Sequence, residues 1–271
     1  LRAVLKQTSL AKQTLDAIAA SPEAAALPGW TIADHAGPAG TWVFRRASGL
    51  PLADGIPGLY TRDGFFRTFL PLLPHYAETT RREAWVLGTK LEKTSPEAEA
   101  QHERDTVGLY LQAFALQWDR LLGDVAVSSA KSYDDALRTL SILSSPTSPI
   151  RLLVVSAGTE TALTQPAGDA ASPDRQAMAD GKLAQLLLQQ RNPDSIAALA
   201  ERFSGEHFRE LHALSTVPPG SSASARPQID EVIASLGNLY RSLNQARFGG
   251  ARSGEAGGSP LQGSAEGAAA L

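Results

Sequence analysis

Apolar residues recur along most of this chain at the three-to-four-residue spacing of a helix face. Leu1, Val4, Leu5, Leu10, Leu15 and Ile18 do so with strong helix formers between them, which predicts a helix over residues 1–20, ended by Ser21-Pro22. From Thr61 to Leu87 the same period places Phe65, Phe66, Phe69, Leu70, Leu73 and Tyr76 on one face, with Arg67 and Thr68 between them. Ile56-Pro57-Gly58 breaks the chain just upstream, Thr61 stands where a hydroxyl caps the first free amides, and Asp63 complements the helix dipole. Pro71 and Pro74 each remove an amide donor and crowd the preceding turn, so a kink or two shorter helices are expected there.

Ser95-Pro96-Glu97 is a strong start signal, combining a serine cap, proline in the first turn and an acid beside it. The helix it opens carries Val107, Tyr110, Leu111, Phe114, Trp118, Leu121 and Leu122 on one stripe for four turns, which marks it as the central core element. Ser132 is placed to cap a helix through Leu143, and Ser148-Pro149 to open another through about Thr161. The corner between them, Ser144-Ser-Pro146-Thr-Ser148, makes these two helices neighbours.

Two-residue alternation is almost absent. Gly29 to Gly58 is rich in glycine and proline, and within it only Thr41-Trp-Val-Phe-Arg45 has strand character, so a short β hairpin turning at Ser48-Gly49 is expected near residues 41–52. Residues 165–176 mix Pro, Gly, Ala, Asp and Ser without period and mark a boundary. Helical patterning resumes over Leu183–Gln190, Ser195–Phe203, Glu206–Leu214 and Ile229–Leu243, and glycine takes over after Phe248. The expected fold is therefore mainly α, with two packed helical subdomains. Residues 1–163 form the first, 164–177 a linker, 178–248 the second, and 249–271 a flexible glycine-rich tail.

Four stretches carry a wider resemblance. Gly55-Ile-Pro-Gly-Leu-Tyr-Thr-Arg-Asp-Gly-Phe-Phe66 runs on to Trp85-Val-Leu-Gly88, and is followed by Leu109–Leu122, Leu140–Leu153 and His207–Leu214. Their order and separation, over residues 40–245, resemble the IcmF/TssM family, the large inner-membrane component of bacterial type VI secretion systems. Pro57, Gly58, Thr61, Gly64, Trp85, Gly88, Trp118, Asp119, Pro146 and Pro149 form the combined signature. The resemblance implies a structural role rather than an enzymatic one, in the periplasmic portion of an inner-membrane protein that holds the envelope-spanning channel and the tail-docking assembly. It also implies TssL and TssJ as partners of the full protein, and self-association in the assembled complex. In the family, TssJ is held by a β-rich domain at the extreme carboxyl terminus. No late series of alternating strands exists here, so the TssJ site is expected outside this chain. A soluble helical adaptor that binds a peptide or partner helix is the other class this pattern allows.

Bulk properties narrow the choices. With 271 residues the chain has material for one large domain or two ordinary ones. Its net charge of −3 and pI of about 6.0 lack the clustered basic excess of a nucleic-acid binder. It contains no cysteine, which excludes disulfides and thiolate chemistry. No run approaches the roughly 18 apolar residues of a membrane span, so membrane insertion by this chain is not expected. A start at Leu1, with Met178 the sole methionine, suggests an excised piece.

Candidate chemistry adds little to this picture. Of the five histidines only His207 and His212 are close, and a spacing of five suits one metal poorly, so both read as helix flanks. His102-Glu-Arg-Asp105 shares letters with a kinase catalytic loop, but lies inside a predicted helix and reads as a solvated charged face. The serine clusters read as caps and loops, and Asp134 and Asp135 as dipole-complementing acids. A P-loop is absent: Gly181-Lys182 is followed by Leu183 and lacks the upstream glycine. No catalytic residue, metal or cofactor is expected. Trp118 and Trp85 are expected in the core, while loop-like surroundings leave Trp30 and Trp42 open between core and interface.

Overall fold

In the computed structural model, residues 2–86, 95–163, 199–217 and 226–254 are described. The chain is mainly α. Helix α1 (Arg2–Ala19) is followed by three single-turn helices, α2 (Pro22–Ala25), α3 (Ile32–His35) and α4 (Gly40–Val43), and by strand β1 (Phe44–Arg46). A 3-10 turn, Gly58–Tyr60, and a π-helical segment, Gly64–Phe69, lead into α5 (Leu70–Val86). Next come α6 (Pro96–Asp124), strand β2 (Val125–Val127), α7 (Tyr133–Leu143) and α8 (Pro149–Thr161). After a second π segment, Glu201–Glu206, follow α9 (Arg209–Ser215) and α10 (Gln228–Gly254).

Local chemistry sets most of these boundaries. The side chains of Ser21, Thr31, Ser95 and Ser132 each accept an amide three residues ahead, at Ala24, Asp34, Ala98 and Asp135. Ser148 precedes Pro149 as expected but acts backwards, its hydroxyl donating to Leu143 O at 2.5 Å and closing the corner between α7 and α8. At the entry to α5 the two prolines act differently from each other. Pro74 sits inside α5, whereas the turn before Pro71 widens into the π segment, where Leu70 N donates to Phe65 O. A π turn moves the carbonyl that a following proline ring would strike, so Pro71 is accommodated by widening rather than by a break. Widening also changes the phase of the apolar face: Thr68, expected between faces, is 6% exposed.

The small β element differs from a local hairpin. Phe44, Arg45 and Arg46 pair antiparallel with Val127, Ala126 and Val125, and Thr41–Val43 lies in α4. Gly49 does turn the chain at Ser48-Gly49 with φ 81°, but the strand partner arrives from the end of α6. A clasp fixes this pairing: Arg46 Nε donates to Asp124 at 2.6 Å, and Ser48 N and Oγ donate to the same carboxylate at 2.7 and 2.5 Å. With three donors converging on it, the Asp124 carboxyl is held down to about 2, with the Ser48 hydroxyl the largest cause and Arg46 the next.

Helix α6, about 44 Å long at 1.5 Å per residue, is the axis of the core. Val107, Tyr110, Leu111, Phe114 and Trp118 are fully buried along it. Helices α1 and α5 pack on its first half, α7 lies chiefly against α10, and α8 against α9. Phe208, at the start of α9, meets Phe114 edge-on at 6.4 Å and joins the same hydrophobic cluster. Where α8 crosses α9, Gly158 faces Ser215 so closely that an added Cβ would lie 2.5 Å from the serine Cβ. Helix α10 continues beyond Phe248, where the apolar pattern stops, to Gly254. Extending a helix adds one bond for each residue ordered and avoids the cost of nucleation. The expected helix over 183–190 and the 164–177 linker lie outside the described residues.

Candidate functional site

Five of the ten signature residues, Pro57, Gly58, Thr61, Gly64 and Trp118, meet at one junction, where the segment from Trp30 and Ile56 to Phe69 is laid across α6. Trp30 and Ile56 exchange both backbone hydrogen bonds, at 3.0 and 2.8 Å, which fixes the chain entering Pro57. The 3-10 turn then presents the Leu59 and Tyr60 carbonyls to α6. Tyr110 Oη donates to Leu59 O at 2.7 Å and Trp118 Nε1 donates to Tyr60 O at 3.0 Å. Burial pushes the Tyr110 phenol well above its ordinary pKa, so it stays a neutral donor.

Pro57 lies exposed at the rim, and Gly58 is buried beneath it. Thr61 donates to Gly58 O at 2.7 Å and accepts from Gly64 N at 3.0 Å, so the expected cap is present and also closes the 3-10 turn. Gly64 has no room for a side chain: a Cβ would lie 2.5 Å from Leu59 O and closer still to Gly58 O. Rings then stack through the junction. Tyr110 lies 4.0 Å from Phe69, 5.4 Å from Phe65 and 5.5 Å from Tyr60, while Trp118 meets Trp30 at 5.0 Å.

The carboxyl end of α8 seals the other side. Glu160 accepts from Arg62 N at 2.8 Å, Arg62 Nε donates to Ala162 O at 3.2 Å, and Trp30 Nε1 donates to Ser156 Oγ at 2.9 Å. Burial raises the Glu160 carboxyl above its usual range, with nearby Asp63 adding to it and the Arg62 amide opposing.

The remaining signature positions lie apart from this knot. Asp119 faces outward, next to buried Trp118, and pairs with His207 Nε2 at 2.9 Å, joining α6 to the start of α9. Pro146 is exposed in the α7–α8 corner, and Pro149 is buried in the first turn of α8. Trp85 lies in the last turn of α5, and its side chain, like all of Gly88, is outside the described residues.

Two histidine readings are corrected. His102 is 5% exposed, not part of a solvated face, because Thr14 of α1 meets its Nε2 at 3.0 Å. His212 is also buried, with Nε2 3.0 Å from the Thr161 hydroxyl at the end of α8. Neither partner is visible locally: Thr14 is 88 residues from His102, and Thr161 is 51 from His212. Trp30 is 2% exposed and so belongs to the core, whereas Trp42 is 46% exposed beneath the Arg138 guanidinium, 4.2 Å from its ring. Among the described residues, no group of three His, Asp or Glu side chains is placed to hold one metal ion, and no helix is long and apolar enough to cross a membrane.

Comparison with known proteins adds an independent line. The family model described as "IcmF-related: Intracellular multiplication and human macrophage-killing" matches residues 1–162, which hold the whole junction. The type VI secretion system component TssM1 of Pseudomonas aeruginosa is 31% identical over 252 residues. That match covers 89% of this chain and 22% of the relative, so the chain spans about a fifth of the relative's length. No solved structure matches.

Proposed function

Because the chain belongs to the IcmF-related family, we propose that it is a structural segment of a type VI secretion membrane complex, lying on the periplasmic side of the inner membrane. The observation that carries this reading is the 31% identity to TssM1 sustained across 89% of the chain. The structure supports the mechanical part. Several interior polar groups tie distant segments together: Tyr110 and Trp118 to the 3-10 turn, Trp30 to Ser156, His102 to Thr14, and His212 to Thr161. Buried hydrogen bonds of this kind fix relative helix positions, because breaking one strands a desolvated partner at a cost of about 1–3 kcal/mol. A segment built this way keeps its shape while its neighbours pull on it.

In this reading the full-length protein works with TssL and TssJ, and the TssJ-binding surface lies in another part of it. Copies of the segment stand together in the assembled complex and hold the channel and the tail-docking platform in place. No nucleotide or metal chemistry is assigned to the segment.

Compartment is tested by thiol labelling. The chain has no cysteine of its own, so Ala130→Cys, at an exposed position in the loop before α7, adds one thiol to this segment, read as labelling above that of the unmodified full-length protein. The reading expects a membrane-impermeant maleimide to label it in cells with a permeabilised outer membrane and an intact inner membrane. Labelling only after lysis of the inner membrane would place the segment in the cytoplasm and favour the helical adaptor.

A further inference from the structure

We propose that His102 is an acid-released clasp that holds α1 on the α5–α6 pair. The geometry is a buried joint with too few acceptors. His102 is 5% exposed and Thr14 is fully buried, and the contact between them links the second turn of α6 to α1. The Thr14 hydroxyl has one hydrogen and two neighbours, Leu10 O at 3.2 Å and His102 Nε2 at 3.0 Å. If it donates to Leu10 O, the imidazole donates from Nε2 and Nδ1 is a bare lone pair. If it donates to Nε2, Nδ1 carries a hydrogen with no acceptor. In both cases Nδ1 is buried without a hydrogen-bond partner.

A second proton turns this tolerable neutral ring into a cation. Both ring nitrogens become donors, and the one facing no acceptor is buried. Arg81 of α5 makes the position worse: its Nε is itself a buried donor without a partner, and its positive charge acts directly on the ring. Two carboxylates nearby, Glu99 and Asp105, are held by other groups. Glu99 is engaged by Arg81 Nη1 at 2.8 Å, and Asp105, on the same helix, accepts from Gln101 at 2.7 Å. On α1, Lys12 and Asp16 pair with each other at 2.6 Å in exposed positions.

Proton uptake by His102 is therefore favoured once α1 lifts and the ring reaches water. Burial first, then Arg81, hold the folded imidazole below its ordinary pKa, with Asp105 opposing. The sign follows: the clasp contributes fully above about pH 6.5, the value in the released state, and is lost as pH falls through the depressed folded value. One proton couples release to pH by at most about tenfold per unit. Burial also holds His212 below its ordinary pKa, with Glu201 opposing, and this ring joins α9 to the end of α8 rather than touching α1.

Amide hydrogen exchange on the 271-residue chain at pH 7.5, 6.5 and 5.5, corrected for intrinsic rates, tests the clasp. The expected result is opening of residues 10–19 that rises by up to about tenfold per unit below pH 6.5, while residues 110–121 of α6 stay protected. His102→Gln, which keeps an amide able to bond Thr14, removes that slope, and Arg81→Gln flattens it by relieving the repulsion. Protection of α1 that is equal at all three values, or a slope that survives in His102→Gln, overturns the proposal. If His102→Gln does not fold, imidazole proton resonances of the unmodified chain decide. A His102 midpoint that coincides with loss of the α1 amides supports the clasp, and a midpoint near 6.5 with unmoved α1 amides refutes it.

Discussion

Replacing Trp118 with alanine removes the side chain in which α6, the 3-10 turn and the Trp30 segment all meet. The indole is fully buried. It packs on Trp30 at 5.0 Å and Phe114 at 6.2 Å, and its Nε1 donates to Tyr60 O at 3.0 Å. Deleting a large buried aromatic costs about 3–5 kcal/mol, because lost transfer energy and an unfilled cavity add. The top of that range is expected here, since the Tyr60 carbonyl also loses its donor, a cost of about 1–3 kcal/mol when nothing replaces it. For a chain of this size each kcal/mol lowers the melting temperature by about 2–4 °C, so a fall of about 10–20 °C is expected. Urea unfolding followed by far-ultraviolet circular dichroism gives the free energy, provided the slope with denaturant matches the unmodified chain. Trp118→Phe separates the two contributions: it keeps most of the packing and loses the hydrogen bond, so it should fall between alanine and the parent. A loss below about 1 kcal/mol for Trp118→Ala, far under the range for such sites, would show that the junction does not hold the fold together.

Gly64→Ala forces a Cβ against two backbone carbonyls and should cost about 1–3 kcal/mol by overpacking. Gly108→Ala meets nothing within 4 Å in the middle of α6 and should gain about 0.5–1 kcal/mol from helix propensity; parallel denaturation curves check both signs. Ser132→Ala removes the hydroxyl that accepts from Asp135 N and should cost about 1 kcal/mol, read in the same way. Asp124, held down to about 2 by Ser48 and Arg46, contributes stability that is present above its unfolded value of about 3.9 and is lost as pH falls through about 2. Asp124→Asn should therefore be less stable than the parent at pH 7, with the gap closing on acidification; a gap that is constant with pH contradicts the clasp.

The sequence exposes what is local. Caps at Thr61, Ser95 and Ser132 depend on residues three positions away, and the α6 stripe from Val107 to Leu121 follows from one period, so both were readable. Joints made across the chain were not. His102 sits among Glu103, Arg104 and Asp105 and reads as polar, yet Thr14 draws it inside from a distance that no local pattern reports. The aromatic and β-branched content around Phe44 marks strand β1, but its partner at Val125–Val127 depends on where α6 ends in space. Thr68 is buried because the π segment shifts the helical phase, which Pro71 hints at only once the widened turn is known. Of the junction, Pro57, Gly58, Thr61, Gly64 and Trp118 stand out in the sequence as parts of one signature and Trp30 stands there between core and interface, while Tyr60 and Glu160 carry no local signal of their role, since each acts through a backbone group remote in sequence.

The central claim is that this segment serves a secretion complex by holding its shape. Its most direct measurement is release of a secreted substrate by cells in which the full-length protein carries Trp118→Ala, Gly64→Ala or Gly108→Ala, with its accumulation monitored alongside. The account predicts that Gly108→Ala secretes normally, and that the two junction variants lose secretion and recover it at low growth temperature, in the order of their measured stabilities. Normal secretion at every temperature by a Trp118→Ala protein whose segment is shown to be unfolded would contradict it.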